Sequence, residues 1–396
     1  MRNNYLSQSV SSPSFLASVP LFNCAITLLQ DYIKELGYQP QIHFELEGCY
    51  QVNNAKSRTQ KLNFDLINQY LRSVDIDGVI VSEYWRNQWE YVSSFNGQSP
   101  LKEADNLHRM LTQLPQIFKR LYGDQRIVET LIKPVVWSGD QGKLAVGSNQ
   151  IFTHDTRAVH IPNAIQLNVS VLNRQGDNLI AKKNFGEYLQ YCFLNTSFEC
   201  SLLYLPEEDA FERLVLKTDY GLAQELCSPV DISGGHQGSV ALYQKVGKHN
   251  QNMGEEPLLF DRYNNVLSVK QNWQKTARIE HRLGASSIYY NPYINVIYGL
   301  LNIIDAIDAY DDNKCSSLPI FVAKDLPESL FTNKDNPHTF GAIDLFKTSS
   351  WFNESLNLIQ RKYNKIQSKD AFEYPMALGD QIKQTILNNY QAKLTT

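Results

Sequence analysis

A mixed fold of helices and strands is predicted for this chain by three observations. With 43% hydrophobic and 20% charged residues over 396 positions, the composition is that of a globular protein and excludes a collagen-like, coiled-coil or mostly disordered chain. Segments with apolar residues at helical spacing are interleaved with short runs of period two. No internal repeat is found, and no apolar run approaches the roughly 18 residues of a membrane-spanning helix. At roughly 100–200 residues per domain, the length allows one large domain or two to three smaller ones.

The elements follow in order. From Leu21 to Leu36 apolar residues recur at helical spacing and Gly37 is a stop, after which QIHFELEGCYQV alternates as a strand. Asn63 to Val74 reads as a second helix, and DGVIVSEYW as a buried strand with a β-branched centre. Lys102 to Tyr122 is a third, amphipathic helix closed by Gly123. LIKPVVWS and IQLNVSVLN are strands, the second ended by the turn RQGDN. A helix near 186–204 and another near 206–226 precede SPVDISGGHQGS. Its segment SGGHQGS at 233–239 reads as a loop, because no strand–loop–helix phosphate-binding pattern surrounds it. ARIEHRL reads as a strand, and NPYINVIYGLLNIIDAI as a long buried helix with Asn291 as N-cap and Pro292 at its first position. Loops and two or three helices follow from 311, the last near 377–393.

The balance of 37 Lys+Arg against 41 Asp+Glu gives a net charge of −4, so there is no global basic field for nucleic acid or an anionic membrane, and neither is expected as a partner. Cysteines 24, 49, 192, 200, 227 and 315 form no CxxC pair. This argues against a disulfide scaffold or a cysteine-built zinc site and makes a reducing cytoplasm the expected compartment. The apolar stretch FLASVPLFNCAITLL has only Arg2 before it, contains Pro20 and lacks a small-residue cleavage site, so it reads as a loop entering a helix rather than a signal peptide.

Three clusters carry candidate chemistry. In HFELEG, Glu45 and Glu47 leave one face of a predicted strand. Such a pair repels unless a cation or base stands between them, although a solvated strand face is the commoner setting for glutamates. The flanking His43, Phe44 and Leu46 do not decide it. In SEYWRNQWE, Glu83 ends an apolar strand and Glu90 follows in the next loop, with Gln88 between; the alternative is an ordinary polar turn. These hard oxygen groups suit Mg²⁺ or Mn²⁺ better than zinc. In KTARIEHRL, Lys275, Arg278 and Arg282 surround Glu280, with Arg278, Glu280 and Arg282 on one face. That pattern serves either as a salt-bridge ladder or as phosphate and carboxylate recognition by guanidinium forks.

The order of these clusters resembles the glutamine synthetase family. The family's strand-end pattern E-x-x-x-G-Q-x-E is matched by Glu83, Gln88 and Glu90, with Asn87 where glycine is usual. KEADNLHRMLTQLPQIFKRLYG is similar to the helix that follows, ARIEHRLGASSIYYNPYINVIYGLLNIIDAI is the closest stretch, and LPESL and AIDLFKTSSWF resemble closing segments. The resemblance implies an α+β fold, a glutamine synthetase-like catalytic domain with a curved, mostly antiparallel sheet (a half-barrel) flanked by helices. It implies one metal on Glu47, Glu83 and Glu90, and a second on Glu45, Glu280 and a residue of IQLNVSVLN. That strand usually carries His-x-His, where this chain has Gln166 and Asn168; Gln is a weaker metal ligand than imidazole. His160 stands six residues earlier as a candidate replacement. Ser170, Asn168, Lys275 and Arg278 fall at nucleotide-side positions, and Lys245 and Arg282 at substrate-side positions. Glu255 matches the catalytic glutamate of the flap and Arg262 a phosphate-facing arginine, while Leu267 occupies a second such position.

The domains implied are an N-terminal extension over 1–20 and the catalytic domain over 21–396, with an insertion-bearing helical region at 181–240 and C-terminal loops and helices over 311–396. Family members carry a β-grasp domain ahead of the catalytic one, for which residues 1–20 leave no room. The implied activity is an ATP-dependent carboxylate–amine ligase that forms an acyl phosphate and then an amide, using ATP and Mg²⁺ or Mn²⁺ on a glutamate-like acid and an amine. A homo-oligomer is compatible with the resemblance. The alternatives are a phosphotransferase on the same fold and a non-catalytic nucleotide-binding regulatory relative.

Overall fold

The computed structural model describes residues 16–52, 62–83, 85, 87–95, 98–122, 127–137, 160–182, 184–219, 239–244, 269–316, 324–333, 339–367 and 377–391. Within them the chain runs α1 (Val19–Glu35), β1 (Gln39–Val52), α2 (Phe64–Ser73), β2 (Val79–Ser82), β3 (Gln88–Val92), α3 (Pro100–Tyr122), β4 (Ile127–Leu131), β5 (Val135–Trp137), β6 (His160–Pro162) and β7 (Ile165–Leu172). It continues as α4 (Phe185–Ser197), α5 (Ser201–Tyr204), α6 (Glu208–Asp219), β8 (Val240–Tyr243), α7 (Val269–Thr276), β9 (Arg278–His281), α8 (Pro292–Asp311), α9 (Ala342–Thr348), α10 (Trp351–Ile366) and α11 (Leu378–Gln391).

Strict alternation along two strands organises this order. From Gln41 to Glu47 and from Ile165 to Val171, every second residue is apolar, so each strand has one oily and one polar face. The two pair antiparallel, with Gln41 opposite Ser170, His43 opposite Asn168 and Glu45 opposite Gln166. Around them a seven-stranded antiparallel sheet forms in the order β2-β3-β1-β7-β9-β8, with β4 added to the far end of β1. The sheet is open at its edges and not closed into a barrel. A separate two-stranded ribbon joins β5 to β6.

The oily face packs on helices. Ile42, Phe44, Leu46, Leu167, Val169 and Ile279 are buried, each contributing roughly 1.5–3 kcal/mol of apolar burial. Against this face lies α8, itself surrounded by α1, α3 and α4. Its Gly299 lets the helix settle close, since a Cβ there would already touch Leu167, Ile42 and Val169 at 3.4–3.6 Å. The start of α8 is fixed as its sequence predicts: Asn291 Oδ1 accepts from the Ile294 N–H at 3.1 Å, and Pro292 needs no donor partner at the first position.

Three local readings change. LIKPVVWS is not one strand, because Pro134 lacks an N–H and separates β4 from β5. Glu90 lies not in a loop but in the middle of β3, opposite Val81 on one side and Glu47 on the other. The helix expected near 186–204 is divided after Ser197, whose Oγ bonds the Phe193 carbonyl at 2.6 Å. Among the described residues no helix is long and apolar enough to cross a membrane. Cys24, Cys49, Cys192, Cys200 and Cys315 are free thiols; Cys227 lies outside the described residues.

Candidate active site

The polar face of the sheet gathers the charged residues that the sequence singled out. On β1, Gln41, His43, Glu45 and Glu47 point the same way, and the neighbouring strands add Glu90, Gln166, Asn168, Ser170 and Glu280 in register. Despite being polar, the face is largely shut from solvent: Glu45 is 8% exposed, Glu90 5%, Gln166 6%, Arg278 6% and Glu280 2%.

Gln166 shows the character of the site. One end of its amide lies 3.4 Å from Glu47 Oε1, and the other lies 2.6 Å from Glu280 Oε1 and 3.1 Å from Glu45 Oε2. An amide has one donor end and one acceptor end, and here both ends face carboxylates. With the NH₂ turned to Glu280 and Glu45 it makes the two shorter bonds, and its oxygen then faces Glu47. Turned this way, both ends of the amide are satisfied.

The same crowding shows in the acidities. Burial first, and then the charge of Glu280, pushes the Glu45 carboxyl up to about 8. Burial likewise holds Glu90 well above the usual carboxylate range, with Glu83, Glu45, Glu47 and Glu280 adding to it. All five candidate metal-binding glutamates therefore bear on one another. Among the described residues, no three His, Cys, Asp or Glu side chains stand in ready-made coordination geometry; amides and guanidinium groups space them apart. The hard oxygen donors are nonetheless the chemistry that Mg²⁺ or Mn²⁺ takes.

Arg278 is the chief spacer. Its Nη2 donates to Glu280 Oε2 at 2.9 Å and stands 4.0 Å from Glu45 Oε1. Its Nε donates to Asn168 Oδ1 at 2.8 Å, and Asn168 in turn donates to Glu45 Oε1 at 3.2 Å. Tyr243 lies under the guanidinium, 4.1 Å from ring centre to Cζ, and its hydroxyl reaches Glu280 Oε1 at 3.5 Å. Among the described residues, Arg278 Nη1 is buried without a hydrogen-bond partner. Arg282 continues the face just past β9, its Nη1 3.5 Å from Glu280 Oε1.

Glu47 is steadied at the other end, where its Oε2 accepts from the Ala164 N–H at 2.8 Å and its carbonyl from Ser286 Oγ at 2.7 Å. Glu83 follows β2, its backbone N–H bonded to the Gln88 carbonyl at 3.1 Å. Gln88 donates to Asn163 Oδ1 at 3.0 Å and accepts from the Trp85 N–H at 3.1 Å, tying the β2–β3 connection to the start of β7.

Beyond Gln41 and Ser170, whose side chains bond at 3.0 Å, a cavity of about 510 Å³ opens. It is lined by Gln41, Leu172, Asp177, Asn178, Lys182 and Lys275, among others. Lys275 is thus on the site's outer side, in the last turn of α7.

Three solved structures share the architecture. A crystal structure of a novel glutamine synthase homolog superposes with a TM-score of 0.57 over 94% of this chain and 71% of its own, at 13% identity. The fold is glutamine synthetase-like. GmaS, solved without ligand and in complex with ADP, superposes with a TM-score of 0.53 in both forms, over 88% of this chain and 72% of GmaS, at 12% identity. At such identities the likeness is one of fold. No family model matches the chain, and no curated protein matches it.

On this glutamine synthetase-like sheet, Glu45, Glu47, Glu83, Glu90, Gln166, Asn168, Ser170, Arg278, Glu280 and Arg282 come to one face or its rim. Lys245, Glu255, Arg262 and Leu267 lie outside the described residues. His160 sits on β6, opposite Trp137 in the separate ribbon. The sequence reading gave no role to Gln41, His43 or Tyr243. Period two would have found the first two, since they share a strand face with Glu45.

Proposed function

We propose that this protein is a divergent ATP-dependent carboxylate–amine ligase acting on a glutamate-like acid and an amine. The observation that supports it most is the Gln166 amide enclosed by Glu45, Glu47 and Glu280, beside guanidinium groups that the same carboxylates hold. Surface charges have no reason to accumulate in a buried face where each raises the others' protonation cost. Glu47, Glu83 and Glu90 would hold one Mg²⁺ or Mn²⁺, and Glu45, Gln166 and Glu280 a second. The bound ions would neutralise the phosphate oxygens of ATP.

The chain's own groups do the rest by positioning and charge. The cavity beside Gln41, Ser170 and Lys275 takes the nucleoside end of ATP. Arg278, pinned by Glu280 and Asn168, turns its unpartnered Nη1 to the phosphates, and Arg262 is assigned the same task. Lys245 and Arg282 bind the acid's carboxylate. That carboxylate attacks the γ-phosphorus, ADP leaves, and an acyl phosphate forms. The amine then attacks the acyl carbon, Glu255 takes its proton, and phosphate departs. Lys245 keeps a cation where a fork is usual, so it binds the acid less directionally.

The test is ADP release from ATP with Mg²⁺ or Mn²⁺ across a panel of acids and amines. Release that needs both substrates and is abolished by Glu47→Gln supports the ligase. Release with acid alone identifies a phosphotransferase, and ADP binding without turnover a binding relative. Absence of any thermal shift with nucleotide and Mn²⁺ overturns the nucleotide site as a whole.

A further inference from the structure

Among the described residues, nothing on the site face explains His43. It lies on β1 midway between Gln41, which lines the cavity, and Glu45, which faces the carboxylates, and its register partner is Asn168. The ring is held edge-on against Phe95, with centroids 4.6 Å apart at 84°. His43 is 3% exposed, and its buried Nε2 has no hydrogen-bond partner among the described residues. Buried polar side-chain atoms are normally satisfied, so an exception calls for a reason.

Core packing does not supply one. The packing role on this stretch belongs to Ile42 and Phe44, which face the helices; an apolar residue at 43 would fill the same space with no nitrogen left over. A bound ligand would supply the partner that is missing among the described residues. Its charge follows from the neighbours: His43 lies opposite Asn168, whose Oδ1 accepts from Arg278 Nε at 2.8 Å. A guanidinium at this end of the face repels a cation and attracts an anion.

The spacing adds the last step. Side chains two residues apart on one strand face are roughly 7 Å apart, which places His43 one such step from the cavity and one from the carboxylate cluster. A nucleotide with its base in the cavity and its terminal phosphate over Glu45 passes above this position with its inner phosphates. We propose that His43, through its Nε2–H, donates a hydrogen bond to a phosphate oxygen of the bound nucleotide, at the junction between the cavity and the carboxylates. This rests on the reading of the site as one for ATP.

The experiment compares the full chain with His43→Phe, which keeps a ring against Phe95 and removes both nitrogens, by calorimetric titration with ADP, AMP and adenosine in the presence of Mg²⁺. His43→Leu serves as a second nitrogen-free variant, so the result does not depend on one of them folding. Loss of one charge-assisted bond lowers ADP affinity by roughly tenfold, leaves adenosine binding unchanged, and leaves the ligand-free melting temperature equal or higher because the orphaned nitrogen is gone. His43→Gln, which retains an N–H donor, recovers part of the ADP affinity. Equal ADP affinity in the parent and both nitrogen-free variants overturns the role of His43, as does an equal loss for adenosine. Failure of the parent to bind ADP overturns the ligase reading instead, which keeps the two apart.

Discussion

Replacing Arg278 with methionine removes the cation that holds the buried carboxylates together while roughly keeping its volume. The variant loses a charge-assisted bond of 2.9 Å to Glu280, a bond of 2.8 Å to Asn168 and the stacking on Tyr243. Glu280, 2% exposed, keeps the Gln166 amide and the Tyr243 hydroxyl, and among the described residues its remaining cationic neighbour is Arg282 at 3.5 Å. Breaking one side of a buried pair is destabilising by about 3–5 kcal/mol. The remaining Arg282 contact and the removal of the unpartnered Nη1 put the expected loss at the lower end, about 3 kcal/mol. Urea unfolding of parent, Arg278→Met, Glu280→Met and the double variant measures it. The double variant should be more stable than Arg278→Met alone, because no uncompensated buried charge at 280 remains, and Mg²⁺ should stabilise Arg278→Met more than the parent. A loss below about 1 kcal/mol, or strictly additive losses in the double variant, would refute the claim that Arg278 and Glu280 act as a unit.

Three further outcomes are expected. Gly48→Ala places a Cβ 2.3 Å from the Trp89 ring. Overpacking of about 1–3 kcal/mol follows, together with a shifted tryptophan fluorescence as the Trp89 bond to the Cys49 carbonyl is strained. His281 is held by burial at about 3, below the ordinary imidazole value, so the unfolded chain takes up a proton the folded one refuses. Its contribution is complete above about 6.5 and is lost as pH falls toward 3; His281→Phe should flatten unfolding midpoints across that window. Asp305 is raised by burial to about 6, so its contribution runs the other way, with stability falling as pH rises from about 4 to about 6. In Asp305→Asn, whose amide oxygen still accepts from Trp351 Nε1, that fall should vanish in a pH series of thermal melts.

What was legible in the sequence was what depends on period and on local chemistry. Alternation put Glu45 with Glu47 and Gln166 with Asn168, and Asn291-Pro292 marked the start of α8 to the residue. Asn63, expected inside the second helix, proved to be its cap, accepting from the Leu66 N–H, because such a side chain competes with the helix it precedes. Register was not legible. That Glu90 faces Glu47, or that Arg278 reaches Glu45 and Asn168 from a strand more than a hundred positions away, depends on pairings that no local pattern encodes. Burial was the other hidden quantity. Glutamates are usually exposed, so although the resemblance placed Glu45, Glu90 and Glu280 at metal positions, their burial became visible only when the sheet brought their neighbours over them. His43 and Tyr243 were passed over for the same reason, since an aromatic beside a charged motif reads as packing.

The two-sided build of β1 has a consequence for how such a chain changes over time. Side chains 41 to 47 are dealt alternately to the core and to the polar site, so deletion of a single residue near 42 would send Glu45 and Glu47 into the oil and Leu46 into the charge cluster. Replacing one letter injures one face; shifting the frame injures both at once. Stretches such as the connection between β4 and β5 have no such double duty. Length variation therefore belongs in the connections, while along β1 and β7 the chain can drift only by exchanging residues in place, as Gln166 and Asn168 stand where the resemblance would put two histidines.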